Sequence, residues 1–379
     1  MKKKYIKFMA FSLIYMVLSA FFSPLCFAEE AKDTALTLTL ETAIGRIESD
    51  NPDIKALDSK IVVAKKQYDD DSKKQNKASI KDPMGKTTVI DIKKQQEINW
   101  RESLLNLKNI EHQRKETLRN LKVEAEKMYI EASALKSDIQ NSKDELSVMD
   151  KKIDEANLKI KLGYIKQSDI KTLEAQKSQI SSAITASQNS LSDTMADLKG
   201  ILGISDDTAL YIDPLYYDML EFDDADIKGK IEQAVKVSYD ISSKQEELDI
   251  LKLDKTLTLK YSLVKDDSTV DSINSNIADK EEEFDNAGYN LRSSLLSSYY
   301  NLKMLQNNVE AEKLNVETAE NDLRNTHALV NAGTGTKIDE LEKSNALSKE
   351  KSTLQRAINS YIIASHDLKS KLEIDIPQK

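Results

Sequence analysis

The sequence predicts an all-α fold made of long antiparallel helical hairpins, of the coiled-coil and α-barrel type, with short or vestigial β inserts. Three observations support this prediction. A heptad pattern runs without a break through the middle of the chain, the stretches 84–213 and 215–376 contain no proline, and the same plan is then repeated. Proline inside a helix costs about 3 kcal/mol, so long proline-free stretches favour long helices.

The first hairpin is predicted from a row of apolar residues that runs from Leu118 to Ile160. Its members alternate at intervals of three and four, and Ser142 is the one polar member. This spacing is typical of a coiled-coil seam, whereas the faces of a strand repeat every two residues. A turn at 162–164 is followed by a similar row that runs from Ile170 to Ile201. Helices joined by so short a link must be antiparallel.

The composition favours a thin apolar seam over an ordinary globular core. The chain has 379 residues, of which 31% are charged and 6% are aromatic. Disorder is the competing interpretation of so polar a sequence, but disordered chains lack a sustained heptad. The formal net charge of −9 disfavours a nucleic-acid partner.

Residues 1–28 are predicted to be a secretory signal peptide. Four lysines precede an apolar run of 15 residues, Phe8–Phe22, which is short for a membrane span, and Cys26-Phe27-Ala28 forms a small-x-small cleavage site. A lipoprotein signal at Cys26 is the alternative, but Ser23-Pro24-Leu25 makes a poor lipobox. The mature chain would lack cysteine, so we expect an exported protein without disulfides.

The remaining chain is predicted to form two helical repeats around a linker. The first repeat, 39–203, starts with a helix near Thr39 and has an insert at 76–96 with a strand at Thr87–Ile92. The second repeat, 227–374, has an insert at 256–276, where Thr256–Val264 alternates as a strand does.

The linker, 204–226, differs in composition from both repeats. It holds four aromatic residues among eight acidic ones, and a short strand is expected at Ala209–Ile212. Aromatic rings beside carboxylates suggest a site for a cation or a sugar. The favoured interpretation is that the linker packs against the helices.

The two returning helices match each other at a constant offset of 170. Gly163 corresponds to Gly333, and the match continues without a gap to the helix ends. The sequence therefore predicts an internal duplication.

The duplicated plan behind a signal peptide resembles the TolC-like outer membrane efflux protein family. The residues that carry the resemblance are Gly163-x5-Asp169-Ile170 and Gly333-x5-Asp339-Glu340-Leu341, each followed by a helix that ends in Leu-Lys-x-x-Leu. The stretch from Leu40 to Ile54 is similar to the opening of the family. Together these features cover about 39–374.

The resemblance implies a homotrimer that works as an efflux conduit. Each chain would give two hairpins to a hollow α-helical barrel, and the inserts would give strands to a membrane barrel. The partners would be a periplasmic adaptor (membrane fusion) protein and an inner-membrane pump. The location would be the outer membrane, or otherwise the extracytoplasmic cell envelope. The residues expected to dock the adaptor are those of the two helix tips: Leu162, Gly163, Tyr164, Gly333, Thr334 and Gly335.

Carboxylates beyond the tips are further candidates by resemblance. Asp339 and Glu342 would face one side of their helix and, in a trimer, narrow the entrance with a ring of charge that selects cations. Asp169 holds the matching place in the first repeat. The alternative is that Asp169 and Asp339 only stabilise the first turns of their helices.

The inserts depart from the family pattern. A membrane strand needs about 9–11 alternating residues, and each insert should hold two strands. Only Thr256–Val264 approaches this length, and Thr87–Ile92 is shorter. The second hypothesis is therefore a non-channel coiled-coil scaffold of the envelope, derived from the same family.

No enzymatic chemistry is predicted. His112, His327 and His366 are scattered along helices without metal-ligand spacing, and no phosphate-binding loop or nucleophile motif is present. We therefore expect no cofactor and no metal. A third hypothesis, a secreted hydrolase with a coiled-coil arm, lacks a stretch long enough for a catalytic domain.

Overall fold

The computed structural model describes residues 36–75, 88–261 and 267–374. The predicted signal peptide and parts of both inserts lie outside these ranges. The described elements, in chain order, are β1 (Leu36–Leu38), α1 (Leu40–Asp50), α2 (Pro52–Gln75), α3 (Val89–Glu97), α4 (Asn99–Lys161), α5 (Gln167–Leu202), β2 (Leu210–Ile212), α6 (Ile227–Val237), α7 (Tyr239–Tyr261), α8 (Asp267–Asn331) and α9 (Lys337–Glu373).

The predicted hairpins are present, and the all-α fold class is confirmed. In the first hairpin, α4 has 63 residues and α5 has 36; in the second, α8 has 65 and α9 has 37. At 1.5 Å per residue, α4 is about 95 Å long. The helix that starts after Thr39 and the interruption at Asn51-Pro52 are also as predicted.

The four long helices form one layer in the order α5, α4, α9, α8. Each hairpin packs internally, and the two hairpins meet where α9 packs against α4. The shorter α2 packs against α4, and α7 packs against α8. The layer therefore has α5 at one edge and α8 at the other. Within the described ranges, no helix has an apolar stretch long enough to cross a membrane.

Each repeat has its own apolar core. In the first, Tyr129 of α4 packs with Leu198 and Leu202 of α5. In the second, Leu368 and Leu372 of α9 are buried among residues of α6 and α8. Leu198 and Leu202 match Leu368 and Leu372 at the offset of 170, which agrees with the predicted duplication.

A two-stranded parallel sheet ties the start of the chain to the linker. Leu36 pairs with Leu210, and Leu38 pairs with Ile212. The Tyr129 hydroxyl donates to the Leu38 carbonyl at 2.9 Å and accepts from the Asp213 amide at 3.0 Å. The linker strand was predicted, but β1 was missed, although its Leu-Thr-Leu alternation is a short strand signal.

The strand predicted in the first insert is wrong where it is described. Residues 89–92 begin helix α3, and Thr88 caps this helix. The Thr88 amide donates to Asp91 Oδ2 at 2.9 Å, and the Asp91 amide donates to Thr88 Oγ1 at 3.4 Å. This reciprocal capping box is a helix-start signal, and it overrides the weak strand propensity of the β-branched residues.

The strand predicted in the second insert is also wrong where it is described, because residues 256–261 continue helix α7. Leu253, Leu257 and Tyr261 recur every four residues and contribute to a small core with Ile98 and Leu105. Helical spacing and this burial override the Thr-Leu alternation that favoured a strand.

Candidate functional site

The first helix tip has a well-defined backbone turn. Gly163 has a φ of +79°, its amide donates to the Ile160 carbonyl at 2.9 Å, and the Tyr164 amide donates to the Lys159 carbonyl at 2.9 Å. These two bonds define a Schellman motif, which satisfies carbonyl groups that the end of α4 would otherwise leave unpaired.

The second tip repeats this motif. Gly333 has a φ of +76°, its amide donates to the Val330 carbonyl at 3.0 Å, and the Thr334 amide donates to the Leu329 carbonyl at 3.0 Å. Gly335 lies close to the end of α8, since an added Cβ would stand 3.1 Å from the Val330 amide nitrogen. The two tips are therefore equivalent in conformation.

Substitution of the tip glycines tests these turns. We expect Gly163→Ala and Gly333→Ala each to lower the free energy of unfolding by about 1–2 kcal/mol, because alanine is strained at positive φ. Gly203 follows the end of α5 and has a φ of +63°. Gly203→Ala should lower the free energy of unfolding by more, because its added Cβ would meet the Asp50 carbonyl oxygen at 2.5 Å. Urea unfolding at one protein concentration measures all three, and equal costs would contradict this reasoning.

The tips expose apolar side chains to solvent. Tyr164 is 76% exposed and Leu162 is 61% exposed, and Leu329 is also exposed beside the second tip. Exposed apolar groups at the end of a long rod are suited to a protein partner. The adaptor-docking role of these residues stays a prediction.

Asp339 is bonded within its own helix turn. Its carboxylate accepts from the Thr336 amide at 3.0 Å and from the Thr336 hydroxyl at 2.7 Å. These bonds hold the pKa of Asp339 below its ordinary value, and the charges of Lys152 and Lys159 lower it further. The carboxylate thus completes the capping box that Thr336 begins at the start of α9.

Glu342 and Asp169 have different surroundings. Glu342 forms an ion pair with Lys152 of α4. Asp169 lies in the first turn of α5, and its side chain is outside the described part of the structure. Asp339 and Glu342 thus both have partners in their own chain, and the predicted entrance ring stays a prediction.

Polar side chains join α9 to α4 between the linker and the helix tips, and we call this contact between the two hairpins the interhairpin seam. Arg356 Nη1 lies 2.9 Å from Glu131 Oε2, and Arg356 also bonds Asp138. Asn141 Nδ2 donates to Ser352 Oγ at 2.7 Å. Sequence reasoning missed this seam, although its α9 residues recur at intervals of three and four: Glu342, Asn345, Lys349, Ser352 and Arg356.

The chemistry of the interhairpin seam differs from that inside each hairpin. Partly exposed ion pairs contribute about 0–1 kcal/mol each, whereas the heptad seams bury aliphatic side chains. The contacts between the hairpins in this region are therefore largely polar, although Val148 and Met149 of α4 also line it.

A buried carboxylate joins three elements near the linker. Glu126 of α4 is buried, and its Oε1 lies 2.9 Å from His366 Nδ1 of α9 and 3.1 Å from the Tyr217 hydroxyl of the linker. Burial and the Glu126 charge raise the pKa of Tyr217, so this hydroxyl stays protonated and donates.

Stability should depend on pH through His366. Its bond to Glu126 raises the pKa of His366 above the ordinary 6.5, against burial and Lys369, which lower it. Since the folded pKa is the higher one, the contribution is complete below pH 6.5 and is lost as the pH rises through the raised value. The melting temperatures of wild type and His366→Gln should therefore differ more at about pH 6 than at about pH 8.5. A difference that grows with pH would contradict this.

Comparison with known proteins supports a fold assignment. No family model matches the sequence, and no curated protein matches it. Among solved structures, CusC, described in connection with transmembrane channel formation, aligns with a TM-score of 0.67 at 11% identity over 88% of this chain and 91% of its own. VceC, an outer membrane protein of Vibrio cholerae, aligns with a TM-score of 0.64 at 11% identity over 89% and 95%.

A third structure agrees with these two. The CmeC outer membrane channel of Campylobacter jejuni aligns with a TM-score of 0.67 at 12% identity over 90% of this chain and 86% of its own. The chain has the TolC-like fold. The resemblance on the glycine tips and repeated helices is thereby confirmed at the level of the fold.

Proposed function

We propose that this TolC-like chain is an oligomeric efflux conduit of the cell envelope. The observation that carries the proposal is the layer of four long helices, which has α5 and α8 as open edges. A single layer cannot cover both of its faces and edges by itself. Copies that join edge to edge and close into a ring would surround a hollow centre.

The edge formed by α8 carries large apolar side chains. Tyr300, Met304 and Leu314 are 64%, 61% and 64% exposed. At 3.6 residues per turn they fall within about 80° on one side of the helix. An apolar stripe of this kind on a chain with 31% charged residues is suited to burial against another subunit.

The opposite edge, on α5, has complementary chemistry. The segment from Ser178 to Ser192 contains no charged residue, and most of its side chains are small. Ser182 and Leu314 are each 19 residues from their tip glycine, so they lie at the same level of the layer. Small side chains on α5 of one copy could thus receive the large side chains on α8 of the next copy. The resulting contact would be head-to-tail, and the family resemblance implies three copies.

The remaining parts of the proposal concern partners and location. The exposed tips, around Tyr164 and Gly333, would dock a periplasmic adaptor protein, which would connect the conduit to an inner-membrane pump. The predicted signal peptide and the similarity to outer-membrane channels support an outer-membrane or other envelope location. The role is transport, without an enzymatic step.

A coiled-coil scaffold is the second candidate. The observation that favours it is that residues 89–97 and 256–261, where insert strands were predicted, are helical. Reconstitution of the mature protein into planar lipid bilayers separates the two candidates. The conduit predicts discrete single-channel currents together with a trimer in native mass spectrometry, and a silent bilayer with a strict monomer would reject it.

A further inference from the structure

A groove with no assigned role lies where the linker crosses the two central helices. It has a volume of about 640 Å³, is open to solvent and is lined by α4, the linker at Pro214–Tyr216 and α9. This volume is within the roughly 300–1,000 Å³ of small-molecule sites. Leu215, Leu354 and Ile358 supply its apolar lining. We call it the linker groove.

One aromatic side chain is held in place at this groove. Tyr216 is 69% exposed and lines the groove. The residues before and after Tyr216 are hydrogen-bonded to the helices. The Leu215 amide donates to Ser133 Oγ at 3.0 Å, and Gln355 Nε2 donates to the Tyr217 carbonyl at 3.1 Å. The backbone that carries the exposed ring is thus fixed before any ligand arrives.

The charged groups that line the linker groove already have partners. Lys136 Nζ donates to the Ile212 carbonyl at 3.2 Å, and Lys351 Nζ lies 3.1 Å from Glu320 Oε1. Asp138 is paired with Arg356. Lys351 and Asp138 are thus compensated by opposite charges within the chain, and Lys136 is held by a backbone carbonyl, which favours an uncharged ligand over an ionic one.

The remaining polar groups are amides and hydroxyls. Gln355 Nε2 donates to Asn359 Oδ1 at 3.1 Å, which orients both amides and leaves Gln355 Oε1 as an acceptor and Asn359 Nδ2 as a donor. Ser137 and Ser348 add hydroxyl groups along the same groove. An apolar ligand would leave such groups without hydrogen bonds at a cost of about 1–3 kcal/mol each.

We propose that the linker groove binds an uncharged saccharide. A sugar ring has a face of C–H groups that can stack on the Tyr216 ring and on the aliphatic lining. Its hydroxyls are both donors and acceptors, which matches the mixed amide and hydroxyl rim. The site is independent of the conduit function, since it depends only on groups within one chain.

Isothermal titration calorimetry of the mature protein tests this site, with maltotriose and the N-acetylglucosamine trisaccharide as probes. We expect at least one probe to bind with a Kd of about 1 mM or tighter, and Tyr216→Ala to weaken it about tenfold or more. The control is Tyr211→Ala, because Tyr211 is also an exposed tyrosine of the linker, at 56%, and is not among the residues that line the groove. Tyr211→Ala should bind as wild type does.

The outcomes separate the sources of the ligand. Preference for the N-acetylated probe would indicate cell-wall glycan, and preference for maltotriose would indicate a hexose oligosaccharide. The proposal is overturned if neither probe shows binding at a probe concentration of about ten times the expected Kd. It is also overturned if Tyr216→Ala binds the probe as tightly as wild type does. Tighter binding of the acidic probe trigalacturonate would also overturn it, because the groove would then select charge.

Discussion

Replacement of Tyr129 by alanine is expected to lower the free energy of unfolding by about 3–5 kcal/mol. Tyr129 is 1% exposed in the core of the first repeat. Its hydroxyl bonds the Leu38 carbonyl and the Asp213 amide, so one side chain connects β1, α4 and the linker. Urea unfolding followed by circular dichroism, at one fixed protein concentration, measures the loss.

Two further variants show which part of Tyr129 matters. Tyr129→Phe keeps the ring and should cost about 1–3 kcal/mol, because the Asp213 amide loses its shorter hydrogen bond and keeps only the 3.4 Å bond to the Leu38 carbonyl. Tyr361 is a comparably buried tyrosine in the core of the second repeat: it is 1% exposed, and its hydroxyl accepts from the Phe222 amide at 2.8 Å. Tyr361→Ala should therefore cost about as much as Tyr129→Ala. A loss below about 1 kcal/mol for both alanine variants would refute this account of the core.

Replacement of Leu314 by glutamate is expected to break the oligomer while leaving the chain folded. In the single chain Leu314 is 64% exposed, so a charge there has little effect on folding. In a ring it would be buried against α5 of the next copy, where an unpaired carboxylate costs about 2 kcal/mol or more. This is about a 30-fold weaker association at each contact. Sedimentation velocity across a concentration series measures the shift towards monomer.

The control for this experiment is a leucine of at least the same exposure that lies away from the proposed edge. Leu220 is 74% exposed in the linker, and Leu220→Glu should sediment as wild type does. Circular dichroism should show the same helix content in both variants. If Leu314→Glu assembles as tightly as wild type, α8 is not the edge that joins the copies.

The hairpins and their tips could be predicted because their signals are local. A heptad row specifies both a helix and its buried face. A glycine directly after such a row marks the helix end, because glycine readily adopts the positive φ of a helix C-terminus. Gly163 and Gly333 could therefore be placed from sequence, as could the buried positions Leu202 and Leu372. Each of these predictions requires only one or two helical turns of neighbouring sequence.

Two of the errors concern residues whose structure depends on distant parts of the chain. Thr256–Tyr261 alternates like a strand, yet Leu257 is buried against α4, about 150 residues earlier in the sequence, and the segment is helical. The interhairpin seam was missed because polar residues at heptad spacing look like a solvated face. Only the contact between α4 and α9 shows that Arg356 and Glu342 have partners in the first repeat.

Electron cryo-microscopy of the purified mature protein tests the central claim most directly. If layers of α5, α4, α9 and α8 join edge to edge, the particles are three-fold rings of upright helices around a hollow centre, with the glycine tips at one end. Single rods, or bundles whose helices fill the centre, would contradict the claim.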